Sequence, residues 1–201
     1  MKNVYIEISE GELLCIMGHN GAGKSTLAPI LLRDTLHLLE YVNADTIALG
    51  LSAFHPEVAA FEAGRIMLKR LHYLADQRMS FAFETTLATR SYALWLKELC
   101  QNGYEVHLLF VWVQTPELAV ERVKARVRAG GHDVPESVIY RRYQKGIRNF
   151  FRLYQVLAKS WGVYDNSSEL PLLLASGAHP LSTTVHQSEL WQHFYEVGHE
   201  H

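Results

Sequence analysis

With 201 residues, 48% of them hydrophobic and 20% charged, the chain has enough material for one compact domain with a full hydrophobic core. Its formal net charge of −2 offers no basic excess of the kind that favours a nucleic-acid partner. No apolar run reaches the roughly 20 residues of a membrane-spanning helix.

The opening MKNVYIEISEGE carries acids where a secretory leader would place a long apolar stretch. ELLCIMG then reads as a buried strand running into GHNGAGKST, and a helix is expected from about Lys24 to Arg33. This loop has the spacing Gly18, four residues, Gly23-Lys24-Ser25. Glycines let the backbone turn its N–H groups inward around phosphate oxygens. Lys24 is expected to reach the β- and γ-phosphates, and the Ser25 hydroxyl to ligate Mg²⁺. The motif therefore predicts ATP with Mg²⁺, held by Gly18, His19, Asn20, Gly21, Ala22, Gly23, Lys24, Ser25 and Thr26.

LHLLEYVNAD reads as a second strand ending near Asp45. The segment PEVAAFEAGRIMLKRLHYLADQRM follows as a helix, with Val58, Phe61, Leu71 and Ala75 at helical spacing. SFAFE is a third strand that delivers Glu84, Thr85 and Thr86 at its carboxyl end. SYALWLKELCQN is a helix with Gly103 as its stop. YEVHLLFVWV is the longest apolar run and the expected central strand. TPELAVERVKARVR starts with Thr115 as N-cap and Pro116 in the first turn, and AGGHDVP breaks it.

From Glu136 to about Lys159 the chain repeats Ile139, Tyr143, Ile147, Phe151 and Tyr154 at helical spacing, which predicts one long amphipathic helix. WGVYDN and LPLLLASG are further strand candidates, and the tail from about Thr184 reads as a last helix. The alternation predicts a single α/β domain over residues 1–201: a parallel sheet flanked by helices, the ligand site along the carboxyl ends of the strands and a helical or loop lid above it.

Asp45, at that rim, is a carboxylate suited to accept the proton of an acceptor hydroxyl during phosphoryl transfer; its plainer role is a cap or turn. Glu84 is suited to ordering metal-bound water or the acceptor, and Thr86 offers a hydroxyl to substrate, against a plainer role in capping. Arg122 and Arg126 share a helix face. Arg126 and Arg128, nearest the glycine break, are the candidates to close over the γ-phosphate; a solvated basic face is the alternative. The stripe Arg141, Lys145, Arg148 and Arg152 reads first as solvated surface, and Arg65 as a guess for the acceptor pocket. Phe150, Phe151, Tyr154, Leu157 and Trp161 read as core. His193, His199 and His201 lack the accompanying ligands of a zinc motif. Cys15 and Cys100 are expected as free thiols in a reducing cytoplasm.

The opening GELLCIMGHNGAGKSTL is similar to the start of an ABC transporter ATPase, but LSAFHPE matches that family's second signature only in its first two residues. HLLFVWVQ, moreover, ends without the acidic pair that family carries. The blocks YVNADTIALGLSAFHPE, FAFETTLATRSYA, GYEVHLLFVWV, ELAVERVKARVRAGGHDVPESVIYRRY and YDNS, from about Gly11 to Ser167, instead resemble the zeta-toxin-like P-loop kinases. That resemblance implies transfer of the γ-phosphoryl of Mg-ATP to a hydroxyl acceptor, UDP-N-acetylglucosamine or a related sugar nucleotide. It implies Asp45 as base, with Glu84 and Thr86 binding the acceptor, and it raises an antitoxin protein as partner. Where the family has a second arginine in the loop, this chain carries His132, with Arg141 as another substitute. An ATP-hydrolysing regulatory module without a phosphorylated small-molecule product is the alternative reading.

Overall fold

A computed structural model describes residues 8, 9, 11–88, 90–178 and 182–200. His201 and residues 1–7 of the opening segment lie outside the described residues. In chain order the regular elements are β1 (Glu12–Met17), α1 (Lys24–Pro29), β2 (Tyr41–Val42), α2 (Ala44–Leu51), α3 (Ala60–Asp76), β3 (Phe81–Thr85), α4 (Ser91–Gln101) and β4 (Glu105–Trp112). They continue with α5 (Pro116–Arg128), α6 (Glu136–Asn149), β5 (Ser160–Asp165), β6 (Leu172–Ala178), β7 (Ser182–Val185) and α7 (Ser188–His199).

The strands form one sheet in the order β2-β3-β1-β4-β5-β6-β7. The first five neighbours run parallel, as the β-α alternation predicts. The last two strands do not. β6 pairs antiparallel with β5, and β7 antiparallel with β6, so the sheet is mixed. A short connection joins each of these strands to its predecessor, which suits antiparallel pairing; a parallel neighbour requires a crossover of a dozen residues or more.

β1 is buried along its whole length, as a central strand covered by helices on both faces must be. Its side chains alternate between two cores. Leu13, Cys15 and Met17 enter the larger, with Phe81, Phe83, Phe110 and Trp112; Leu14 and Ile16 enter the smaller, with Ala28, Leu31 and Leu109. Helix α7 belongs to the larger core: Phe194 is buried and its ring lies 5.3 Å from that of Phe110. Phe150, Tyr154 and Trp161 are buried there too. Cys15 is buried, Cys100 half-buried, and both are free. No helix among the described residues is long and apolar enough to cross a membrane.

Five local elements differ from the sequence reading. The second strand shrinks to Tyr41–Val42 because Asn43 caps a helix, so Asp45 stands in the first turn of α2 rather than at a strand end. In α3 the buried face is Ala63, Met67, Leu71, Leu74 and Ala75, so Leu71 and Ala75 lie on it as expected, while Val58, just before the helix, and Phe61 are 78% and 81% exposed. The helix that follows the phosphate loop stays α-helical only to Pro29 and continues as a π-helical stretch over Ile30–Thr35. The long helix after Glu136 is likewise α-helical to Asn149, then π-helical over Phe150–Tyr154, with a 3₁₀ turn at Gln155–Leu157. Thr184 lies in β7, and the last helix begins at Ser188.

Candidate active site

The parallel strands end at one edge of the sheet, and the loop after β1 rises there. Its glycines are required by contact as well as conformation: a Cβ on Gly18 would lie 2.2 Å from the Val111 carbonyl oxygen. Asn20, Gly21, Gly23, Lys24, Ser25 and Thr26 line a cavity of about 610 Å³; Gly18, His19 and Ala22 lie behind them, His19 and Ala22 fully buried. The His19 ring makes two hydrogen bonds that define its state. Nδ1 faces the Asn20 carbonyl oxygen at 2.9 Å and so donates, and Nε2 accepts from the Val113 N–H at 3.4 Å. Burial pushes this imidazole down to about 3, which agrees with a neutral ring.

Lys24 donates from Nζ to the His19 carbonyl oxygen at 3.1 Å and stands 3.5 Å from Glu84 Oε1. Burial lowers the pKa of its ammonium, while Glu84 and Asp45 oppose that shift. Glu84, at the end of β3, collects donors: Ser25 Oγ at 3.0 and 3.1 Å, Tyr41 OH at 2.6 Å and Asn43 Nδ2 at 2.8 Å. Burial and this carboxylate raise the Tyr41 pKa, so the phenol remains a donor. Asn43 works in two directions, because its Oδ1 accepts from the N–H groups of Asp45 (2.7 Å) and Thr46 (3.3 Å) and caps α2. One buried amide thus ties the strand that carries Glu84 to the helix that carries Asp45.

Arg122 and Arg126, one turn apart on α5, line the same cavity. Arg122 donates to the Ser167 carbonyl oxygen at 3.1 Å, and Arg126 to the His132 carbonyl oxygen at 3.1 Å. His132 Nε2 stands 3.8 Å from Asp45 Oδ2. A second cavity of about 350 Å³ opens on the other side of Asp45, lined by Ala48, Pro56, Ala60, His132, Arg141 and Arg142. Asn20 and Asp45 line both cavities. Arg142 holds the junction, donating from Nη1 to Asn20 Oδ1 at 2.8 Å. The arrangement is a phosphate-loop cavity and a mixed polar and apolar pocket that meet at a half-exposed carboxylate.

The family model for zeta toxin matches residues 3–173. The chain belongs to the zeta toxin family. An uncharacterized protein of Haemophilus influenzae is 31% identical over 136 residues, which cover 68% of this chain and 95% of that protein. Among solved structures, a chain of the PezAT chromosomal toxin–antitoxin system of Streptococcus pneumoniae matches with a TM-score of 0.63 at 17% identity, covering 94% of this chain and 80% of that one. A chain of the AvrRxo1-ORF1:-ORF2 complex with ATP matches with a TM-score of 0.69 at 16% identity. That match covers 90% of the present chain but only 62% of the longer one. These structural likenesses establish the P-loop kinase-like fold.

Within this zeta toxin fold, Lys24, Ser25, Asp45, Glu84 and Arg126 surround one cavity. Arg128 lies elsewhere, exposed beside a separate cavity of about 330 Å³ between α5 and the start of α6. Thr86 is half-buried with its carbonyl oxygen close against Gly146, and lines neither of the cavities that meet at Asp45. Arg65, Lys145 and Arg152 are exposed away from those two cavities, and Arg148 donates to the Glu200 carbonyl oxygen at 2.9 Å. His193 Nε2 lies 3.1 Å from the Gln114 carbonyl oxygen, and His199 stacks on Tyr195.

Four site residues escaped the sequence reading: Tyr41, Asn43, Arg142 and Asn166. Asn166 Nδ2 donates to the Ala22 carbonyl oxygen at 2.8 Å and lines the phosphate-loop cavity. Its signal was its place one residue beyond an apolar strand in YDNS. Both Arg141 and Arg142 line the second cavity; Arg142, which also reaches Asn20, was hidden beside Arg141 because spacing alone does not show which of the two touches the phosphate loop.

Proposed function

We propose that this zeta toxin family member is a small-molecule kinase, acting in the cytoplasm as a single domain over residues 1–201. It transfers the γ-phosphoryl of ATP to a hydroxyl acceptor seated in the pocket lined by Ala48, Pro56, His132 and Arg142. The observation that carries this reading is the meeting of the two cavities at Asp45. A hydrolase requires only the first; a transferase requires an acceptor site that opens onto the γ-phosphate.

The residues divide the work. Backbone N–H groups of the loop and Lys24 bind the phosphate chain, and Arg122 and Arg126 offset charge that spreads over the transferring group. Asp45 takes the acceptor proton as the acceptor oxygen forms its bond to phosphorus and the bond to the departing ADP oxygen breaks. The Ser25 hydroxyl and the Glu84 carboxylate, about 3 Å apart at the cavity wall, are hard oxygen donors of the kind Mg²⁺ takes. They are the residues that would hold the ion, directly or through water. Bound there, Mg²⁺ would neutralise phosphate charge. The loop 129–135, tied to α5 through Arg126 and His132, stands over Asp45 and would keep water out.

The first acceptor to try is UDP-N-acetylglucosamine, with other sugar nucleotides, sugars and nucleosides beside it. The test is incubation of the protein with Mg-ATP and this panel, read by mass spectrometry, with Lys24→Ala as the control that should abolish turnover. A product heavier by one phosphoryl group supports the kinase reading and names the acceptor. ADP formed alone across the panel, with none of the candidates phosphorylated, favours an ATP-hydrolysing regulatory module. The PezAT system's toxin–antitoxin pairing supports an antitoxin partner here as well; growth arrest on expression, relieved by Lys24→Ala, is the expected outcome.

A further inference from the structure

At the opposite end of the sheet from the phosphate loop, about 20 Å away along β1, three ligand-type side chains converge from the starts of two neighbouring strands. Glu12 opens β1; Glu105 and His107 lie on β4, in register with Glu12 and Leu14. One donor atom from each of Glu12, Glu105 and His107 lies within 4.8 Å of the others. His107 is 3% exposed, and its Nε2 faces Glu12 Oε2 at 3.3 Å, an ion-pair contact that falls short of hydrogen-bond geometry among the described residues. The other ring nitrogen, Nδ1, is held by Ser160 Oγ at 2.7 Å.

We infer that Glu12, Glu105 and His107 form a binding site for a divalent cation of the zinc class, in which the Lys159 ammonium holds the cation's place when none is bound.

Three observations support this assignment. The 3.3 Å between Nε2 and Oε2 equals the edge of a tetrahedron of ligands about 2.0 Å from a central Zn²⁺. The Ser160 hydroxyl on the second ring nitrogen holds the ring's orientation and, by accepting from Nδ1–H, would leave Nε2 free to bind a metal. Finally, the cluster already contains a cation. Lys159 Nζ lies 3.4 Å from Glu12 Oε1 and is ion-paired to Glu105, yet its side chain is 51% exposed and can swing into solvent. With Lys159 the two carboxylates keep one net negative charge; with a divalent ion the set is neutral. Glu12 Oε2 also accepts from the Ser9 N–H at 2.6 Å, which holds that carboxylate in place. Three protein ligands leave a fourth position for water. Bound there, the ion would tie the starts of β1 and β4 together.

Co²⁺ absorption distinguishes this site from the phosphate loop, because tetrahedral coordination gives intense visible bands that octahedral oxygen sites lack. Chelator-treated full chain is titrated with Co²⁺, and then with Zn²⁺ in competition. One equivalent should bind with tetrahedral bands. Glu105→Gln and His107→Gln should each weaken binding about tenfold or more, Lys159→Met should tighten it, and Ser25→Ala should leave it unchanged. Glu105 lies in the outermost part of its strand, so Glu105→Gln keeps the test open if the buried histidine variant fails to fold. Absence of tetrahedral bands in both the unmodified chain and Lys159→Met would overturn the inference, as would bands undiminished by Glu105→Gln. In either case the cluster is a Glu–Lys–His ion-pair network and nothing more.

Discussion

Asn166 Nδ2 occupies the space beside Gly23 so closely that a Cβ added to the glycine would lie 2.4 Å from it. The same nitrogen donates to the Ala22 carbonyl oxygen at 2.8 Å. The exit of β5 therefore clamps the phosphate loop one residue before Lys24, and Gly23, at φ +90°, has neither the room nor the backbone conformation for a side chain. Gly23→Ala should lower stability by about 1–2 kcal/mol from backbone strain alone and should abolish ATP binding. Asn166→Ala leaves a buried carbonyl without its donor, a loss of about 1–3 kcal/mol, and should weaken ATP binding roughly tenfold. Titration calorimetry beside thermal melts separates the two effects; unchanged ATP affinity in both variants would show that the clamp has no part in binding.

Glu84 gathers donors from three different elements, Ser25, Tyr41 and Asn43, beside the Lys24 ammonium. Glu84→Gln keeps the size but replaces one acceptor oxygen with a donor, which then faces other donors. Turnover should fall by about 10²-fold, saturation should require more Mg²⁺, and the melting temperature should drop, because buried donors and the Lys24 ammonium lose part of their acceptor and counter-charge. A Mg²⁺ titration superposable on that of the unaltered protein would remove Glu84 from the metal's surroundings.

The parts of this architecture that could be read in advance are those where local chemistry and fold agree. The Gly18–Ser25 spacing carries its own geometry, and the apolar runs of β1 from Leu13 and of β4 from Leu108 announce burial on both faces, so the phosphate loop and the parallel half of the sheet were legible. Asp45 was legible as a residue but not as a position, because Asn43 ends the strand by capping a helix, and an Asn there also reads as a turn. The exposed Phe61 misled because periodicity gives the spacing of a face without its phase. The antiparallel β6 and β7 depend on connections that carry no helix, a weaker signal than the crossovers before them. Tyr41 and Asn166 work through partners 43 and 144 residues away, a distance at which one chain without its fold gives no pairing.

Asp45 stands where the two cavities meet, its side chain 54% exposed and His132 Nε2 3.8 Å from its Oδ2. As the proton acceptor it has a narrow expected signature. Asp45→Asn should cut phosphoryl transfer by about 10²–10⁴-fold while ATP affinity stays within a few-fold, since the loop and Lys24 are untouched. Single-turnover transfer, with a parallel nucleotide-binding measurement, reads both. Transfer that survives within a few-fold would show that another group, or water, takes the proton.

His19 links the phosphate loop to the stability of the whole domain. Its imidazole is buried, its ordinary pKa of about 6.5 is depressed to about 3 by that burial, and both ring nitrogens are committed in the neutral form. In the unfolded chain the ring gains a proton as pH falls through 6.5, whereas in the folded chain it does not. The unfolded state therefore binds more protons across that interval, and stability falls as pH falls. The contribution is complete above pH 6.5 and declines by about 1.4 kcal/mol per unit below it, until the folded ring titrates near 3. Other buried groups titrate in the same range, so the informative quantity is a difference between proteins. Urea midpoints of the unaltered chain and His19→Gln should lie furthest apart at pH 8, where the variant has lost a well-fitted ring, and should converge towards pH 5. Parallel profiles would mean that the folded ring takes up its proton as readily as the unfolded one, and the depressed pKa of His19 would then have to be abandoned.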